Sequence, residues 1–426
     1  MKDSGIEWIG KIPTEWKIER VGSLFMCRNE KVSDRDFAPL SVSKQGVVPQ
    51  IETVAKSDNS DNRKLVLKDD FVINSRSDRK QSCGLSFLDG SVSLINIVLS
   101  IRNKQQLTTS FLPYVMKNYG FAEEFYKWGH GIVADLWTTR WQELKSIFIP
   151  LPPLPEQQRI ADYLDKQCSI MDKLAENLQQ QIEKLKEYKQ SVITEAVTKG
   201  LDPNVAMKDS GIEWIGQIPK EWKVIPIKSL FSFGKGLTIT KADLQENGVK
   251  VINYGQIHAK YNRGVSINNN LYRFVSEKFL STNHNSLIEF GDFIFADTSE
   301  DIDGAGNFVY IDKHDKIFAG YHTLILQSLY NNDNKFLAYL FLSTQWRQQI
   351  QKRICGIKVF SISKNILSCL TIIRPPLPEQ QRIVDYLDKK CEEIDKLIKI
   401  KQEKIDRLSE YKKSLIYECV TGKKEI

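Results

Sequence analysis

The chain states two of its segments twice. MKDSGIEWIGKIP at Met1–Pro13 returns as MKDSGIEWIGQIP at Met207–Pro219. PPLPEQQRIADYLDKQCSIMDKL at Pro152–Leu174 returns as PPLPEQQRIVDYLDKKCEEIDKL at Pro375–Leu397, and the match runs on without a gap into EYKQSVITEAVT at Glu187–Thr198 and EYKKSLIYECVT at Glu410–Thr421. The first repeat is offset by 206 residues and the second by 223, so the stretch between them is 17 residues longer in the second half. The intervening sequences, roughly Lys17–Pro150 and Lys223–Arg374, share almost nothing. Such an order, A-x-B-A-y-B, requires a fold with two like frames around two unlike inserts.

The B repeats have helical periodicity. Leu164, Met171, Leu178, Leu185 and Val192 recur every seven residues, interleaved with Ala161, Cys168, Ala175, Ile182 and Ala196. The second copy supplies Leu387, Ile394, Leu408 and Leu415 with Val384, Cys391, Ile398, Ile405 and Cys419. Three-and-four spacing of this kind is a coiled-coil seam. Pro155 and Pro378 suit the first turn of a helix, and Gly200 and Gly422 suit its end. A helix from Glu156 to Lys199 would be about 66 Å long. It cannot hide its seam alone, and its twin is the natural partner. PPLPEQ reads as a stiff helix entry rather than a proline-motif ligand. Cys168 and Cys391 read as small seam residues rather than redox groups.

Strand-like runs in the inserts (DFVINS and SVSLINIVLSI; GVKVINYGQI, GDFIFAD, NFVYID and HTLILQSL) precede helical stretches, SFLPYVMKNYGFAEEFYKW and NKFLAYLFLSTQWRQQIQKR. The like order predicts one fold with diverged sequence. The expected class is α+β: two mixed α/β domains joined by two long helices in an antiparallel coiled coil with pseudo-twofold symmetry. The expected segments are 1–150 and 207–374 for the domains with their lead-ins, and 151–206 and 375–426 for the central and distal helical regions.

Composition excludes several classes of function. No apolar run approaches the ~18 residues that span a bilayer, and the N-terminus lacks the layout of a signal peptide. Seven scattered cysteines without a CxxC pair read as reduced thiols of a cytoplasmic protein. There is no GxxxxGK[ST] loop, and Gly234-Lys235-Gly236 is too short to serve as one. His130, His258, His284, His314 and His322 have no metal-ligand spacing. No Asn/Asp-Pro-Pro-aromatic stretch, the usual pocket wall of an amino-methyltransferase, occurs. The expectation is a chain with no catalytic residue, metal or cofactor.

The inserts do carry polar and basic loops of the kind that contact phosphates and base edges. Any one of them could be ordinary solvated loop; together, on a duplicated frame, they favour a reader of double-stranded DNA. A net charge of +7 permits such a partner without demanding it. The candidates in the first insert are Lys44, Gln45, Arg76, Ser77, Arg79, Lys80, Thr138, Thr139 and Arg140. In the second they are Thr238, Thr240, Lys241, Tyr254, Gln256, His258, Lys260, Thr298, Ser299 and Lys358.

The twice-used P-P-L-P-E-Q-Q-R-I-x-D-Y-L-D-K entry and G-I-E-W-I-G-x-I-P-x-E-W lead-in resemble the specificity subunit of type I restriction-modification enzymes over essentially the whole chain. That resemblance implies two target-recognition domains, each reading one half of a bipartite, asymmetric DNA site. It implies docking of two modification subunits, which carry S-adenosylmethionine, and of restriction subunits with their ATP-driven, Mg-dependent motor and nuclease. Two alternatives remain open: the specificity chain of a methyltransferase-only system, and a coiled-coil scaffold whose inserts bind protein. If the helices act as a ruler, four residues inserted near Lys184 should lengthen the unread spacer by one or two base pairs, since they add about 6 Å.

Overall fold

The computed structural model describes residues 1–50, 61–131, 137–213, 215–330, 333–354 and 359–426. The chain packs as two units. The first is Met1–Gln179 with Lys401–Ile426, and the second is Gln180–Ile400. Each long helix, Leu154–Lys199 or Leu377–Val420, therefore gives one end to each unit.

In the first unit a four-stranded antiparallel sheet has the order Cys83–Leu85, Phe71–Asn74, Asn96–Ile101, Phe25–Arg28. In the second the order is Phe308–Tyr310, Phe293–Ala296, Thr323–Ser328, Phe231–Lys235, again antiparallel throughout. The order of corresponding strands is the same, so the inserts share a core despite their sequences. The apolar runs FVIN and FIFA reflect burial on both faces, which removes the usual in-out alternation. Phe71, Ile73 and Leu99 enter the core shared with the helices, while Val72 and Val98 enter a smaller one beneath a second sheet. Phe293, Phe295 and Leu326 against Ile294 and Ile325 divide in the same way in the second unit. Full burial of each such side chain contributes about 1.5–3 kcal/mol.

The second sheets differ. The first unit has three short antiparallel strands, Gly90–Ser93, Arg63–Val66 and Lys31–Val32, beside the hairpin Leu40–Ser43/Gly46–Pro49. The second has five strands, with one parallel pair between Val249–Ile252 and Ile317–Ala319.

Each stretch expected as a single helix is two. Asn118 breaks the first into Leu112–Lys117 and Tyr119–Lys127: its backbone is extended, its Oδ1 accepts from the Phe121 amide and its Nδ2 donates to the Val115 carbonyl. Ser343 breaks the second between Lys335–Leu342 and Thr344–Gln351 by accepting from the Trp346 amide and donating to the Leu340 carbonyl. A side chain that caps the next helix offers the backbone an alternative to continuing the last one.

The frame residues bond alike in both units. Trp16 and Trp222 are buried, and their indole N–H groups donate to Glu156 and Glu379 in the first turns of the long helices, at 2.9 Å each. Lys412 pairs with Asp172 at 2.7 Å and Lys189 with Asp395 at 2.8 Å, so the helix ends run antiparallel within each unit. From the inserts, Tyr114 bonds Asp165 and Tyr339 bonds Asp388. Along the expected seam, Leu164, Met171, Leu178, Ile182, Val192, Leu387, Ile394 and Leu415 are buried, whereas Leu185, Ile398, Ile405 and Leu408 are half-buried. Gly200 and Gly422 end the helices in the left-handed region, at φ +79° and +68°.

Candidate nucleic-acid interface

In the first unit the backbone brings three of the basic candidates to one cleft of about 730 Å³. Lys44 stands at the tip of the Leu40–Ser43/Gly46–Pro49 hairpin, where Gln45 is exposed and its amide donates to Ser43 Oγ. Arg76 precedes and Arg79 ends a single turn of 3-10 helix, Ser77–Arg79, just after the central strand Phe71–Asn74. One carboxylate serves both guanidinium groups: Asp78 lies 3.0 Å from Arg76 and 3.6 Å from Arg79. The loop is held from outside by the Ser77 amide, which donates to the Trp137 carbonyl, and by a backbone bridge from Arg76 to Thr138. Exposed pairs of this kind contribute little to stability, so these cations remain available to an anionic partner.

The remaining candidates of this insert are placed elsewhere. Lys80 turns away to Glu123, 3.3 Å distant, and lies over the Tyr126 ring. Arg140 is exposed at the start of the helical turn Trp141–Leu144. Thr138 is half-buried and bridges His130 through its backbone. Thr139 corrects the sequence expectation: it is fully buried, its hydroxyl donates to the Phe125 carbonyl and its amide to Ser75, so it ties the loop down and presents nothing to a ligand.

In the second unit several polar candidates are consumed internally. Thr240 caps the turn Lys241–Asp243, accepting from the Ala242 amide and donating to Asp243. Gln256 Oε1 accepts from the Asn253 amide. His258 has both ring nitrogens engaged, with Nε2 2.8 Å from the Thr298 carbonyl and Nδ1 3.1 Å from Asn307 Nδ2. A carbonyl can only accept, so Nε2 carries the proton and Nδ1 accepts. Asn307 Oδ1 in turn accepts from Arg347, which also donates to the Asp303 carbonyl. His258 is thus a strut for the 297–307 loop rather than a reader of bases. Ser299 is buried where Thr298–Ser299 pairs with Phe360–Ser361, and is likewise structural. Thr238, Lys241 and Lys260 are exposed. Half-buried Tyr254 meets Tyr321 and His322 at ring distances of 5.6 and 5.5 Å, and His322 adopts a left-handed backbone at φ +53°. Lys358 lies outside the described residues.

Two residues that sequence reasoning did not single out line the first cleft: Arg63 and Asn96. Both sit inside β-strands and are buried. Nothing in the sequence distinguishes them from ordinary strand polars. Among the described residues there is no group of His, Cys, Asp and Glu that could hold a metal ion, and no helix long and apolar enough to cross a membrane.

The sequence model of the type I restriction modification DNA specificity domain matches residues 13–184 and again 219–410. The type I restriction enzyme MjaVIII specificity subunit of Methanocaldococcus jannaschii is 24% identical over 97% of this chain and 94% of its own. The putative MjaX specificity subunit of the same organism is 23% identical over 97% and 95%. A chain solved in a study of complex assembly and conformational transition of the type I R-M system is similar, with a TM-score of 0.72, 15% identity, and 96% of this chain and 98% of that one covered. The HsdS subunit of Thermoanaerobacter tengcongensis has a TM-score of 0.52 at 16% identity, covering 97% and 98%. With both halves matched by one domain family, the chain belongs to the family of type I restriction-modification DNA specificity proteins.

Proposed function

We propose that this chain is the sequence-reading subunit of a type I restriction-modification complex and has no catalytic residue of its own. The observation that carries the reading is the contrast between a frame whose tryptophan–glutamate and lysine–aspartate bonds recur in both units and inserts that share a core sheet but differ in their exposed loops. One core with two unlike surfaces fits a protein that recognises two different half-sites of duplex DNA. The cleft with Lys44, Arg76 and Arg79 fits a polyanion. Two like frames suit two copies of one partner: the modification subunits, which would bring S-adenosylmethionine. Restriction subunits would bring ATP and Mg. A cytoplasmic location follows from that role.

The test has two parts. Purified chain should bind duplex DNA with an affinity that falls steeply with salt, because neutralised phosphates release counterions. Methylome sequencing of cells with and without the gene should show one bipartite motif that depends on it. Replacing Arg79 by Ala should relax or weaken one half-site by about 1–3 kcal/mol and leave the other alone. Absence of salt-dependent duplex binding would favour a scaffold whose inserts bind protein.

A further inference from the structure

We propose that Asn96 and Arg63 form the floor of a base-reading cleft in the first insert, shaped for a nucleobase that presents an exocyclic amine beside a hydrogen-bond acceptor. The inference rests on the reading of the insert as a binder of duplex DNA, and adds the chemistry that one of its subsites selects.

Asn96 begins the strand next to the one that ends at Asn74, and the residue is 5% exposed. Nδ2 donates to the Ser93 carbonyl at 3.0 Å, which fixes the orientation of the amide, since the reverse would set two acceptors face to face. That leaves Oδ1 buried with no donor among the described residues. Leaving a buried acceptor unpaired costs about 1–3 kcal/mol, and in a cleft wall such a cost marks a place for a ligand's N–H.

Arg63 supplies the complementary half. Its Nε and Nη2 donate to Ser91 Oγ and to the Ser91 carbonyl, which hold the guanidinium in one position. The Asp34 carboxylate acts on it electrostatically but forms no ion pair with it, and Nη1 has no hydrogen-bond acceptor among the described residues. Lys44 and Arg79 at the rim are exposed, long side chains that can give way to an entering group.

The pairing of an acceptor with a donor separates two occupants. A phosphate offers only acceptors and would be repelled by Asn96 Oδ1. In the major groove, adenine offers its 6-amino group beside N7, and cytosine offers its 4-amino group beside the paired guanine O6. Either offers a donor for Asn96 and an acceptor for Arg63.

The experiment selects duplexes from a random pool with the full wild-type chain, then replaces each adenine or cytosine of the selected half-sites by its analogue lacking the exocyclic amine. Expected is one position, in one half-site, where loss of the amine weakens binding about ten- to a hundredfold. Asn96→Ala should erase that difference and leave the other half-site untouched. Discrimination by the wild-type chain with no amine-sensitive position overturns the inference while sparing the DNA reading, and so does amine sensitivity that survives in Asn96→Ala. A variant that weakens all sequences equally assigns the cleft to a phosphate. The analogue series needs no variant, so it stands even if Asn96→Ala does not fold. Failure to enrich any duplex would overturn the DNA reading, and this inference with it.

Discussion

The same turn precedes the central strand in both units, and among the described residues only one copy has an ionic partner. Asp70 accepts from the Leu67 amide as Asp292 accepts from the Glu289 amide, and their carbonyls accept from the amides of Ser86 and Ile311, whose own carbonyls accept from the preceding residues Asp69 and Gly291. The residue before each is left-handed: Asp69 at φ +71° and Gly291 at φ +92°. In the first unit Arg28 reaches Asp70 through two bonds of 2.9 and 3.2 Å. At the position equivalent to Arg28 the second unit has Gly234, and burial pushes the Asp292 carboxyl up to about 6. A conserved backbone turn therefore does not carry its electrostatics with it. What the inserts share is geometry, and what they have lost in common is the choice of partner.

The sharpest way to break the likeness of the frames is to truncate their tryptophans. Trp16→Ala and Trp222→Ala should each cost about 3–5 kcal/mol, because each empties a core and orphans the facing glutamate. Thermal unfolding should show the loss in the altered unit first; a loss confined to one of the two variants would mean that the frames are not equivalent. Next in size is the aspartate comparison. Asp70→Asn should cost about 2 kcal/mol near neutral pH by leaving Arg28 without its carboxylate. Asp292→Asn should instead relieve the buried charge at pH 7, offset in part by the amide it can no longer accept, since Ser328 and Glu289 each donate to one of the two carboxylate oxygens. The folded chain holds a proton on Asp292 more tightly than the unfolded chain does. The stability this group contributes is therefore full below pH ~4 and lost as pH rises through about 6. Denaturation midpoints between pH 4 and 7 should flatten in Asp292→Asn and keep their slope in Asp70→Asn.

The smallest expected effect separates the interhelix pairs. Lys412→Met should cost about 0.5–1 kcal/mol. Lys189→Met should cost less, because Asp395 also binds Arg263 at 2.9 Å whereas Asp172 has no such second cation among the described residues. Equal losses in denaturant titrations would show that Arg263 contributes nothing.

The frame was legible because the chain carries its own alignment. Seven-residue spacing, Pro155, Pro378, Gly200 and Gly422 each act locally, and repetition doubled every signal. The antiparallel helix pairs and mixed α/β inserts match expectation for that reason. The breaks at Asn118 and Ser343 were hidden because apolar periodicity continues across them while a single side chain decides the matter. The interface was less legible still. Ser, Thr and His bond to backbone as readily as to bases, which is how Thr139, Ser299 and His258 came to be counted as readers. Arg63 and Asn96 escaped for the opposite reason, since only tertiary packing decides which polar atoms of a strand residue are left over once its bonds are made.

One feature of the frame bears on how such chains change. Each insert enters on one strand and leaves on its antiparallel neighbour, Lys17–Arg20 beside Phe148–Leu151 and Lys223–Pro226 beside Thr371–Arg374. Its two ends are thus held one strand spacing apart, about 4.8 Å, whatever lies between them. The second insert is longer by 17 residues, yet closing a loop that much longer costs only about 0.1 kcal/mol. Mechanically, the paired strands are a socket with a fixed bore, and a cartridge of any bulk fits it that also brings the tyrosine the helix meets, as Tyr114 meets Asp165 and Tyr339 meets Asp388. Exchange of a whole cartridge would leave the strand bonds of the socket intact.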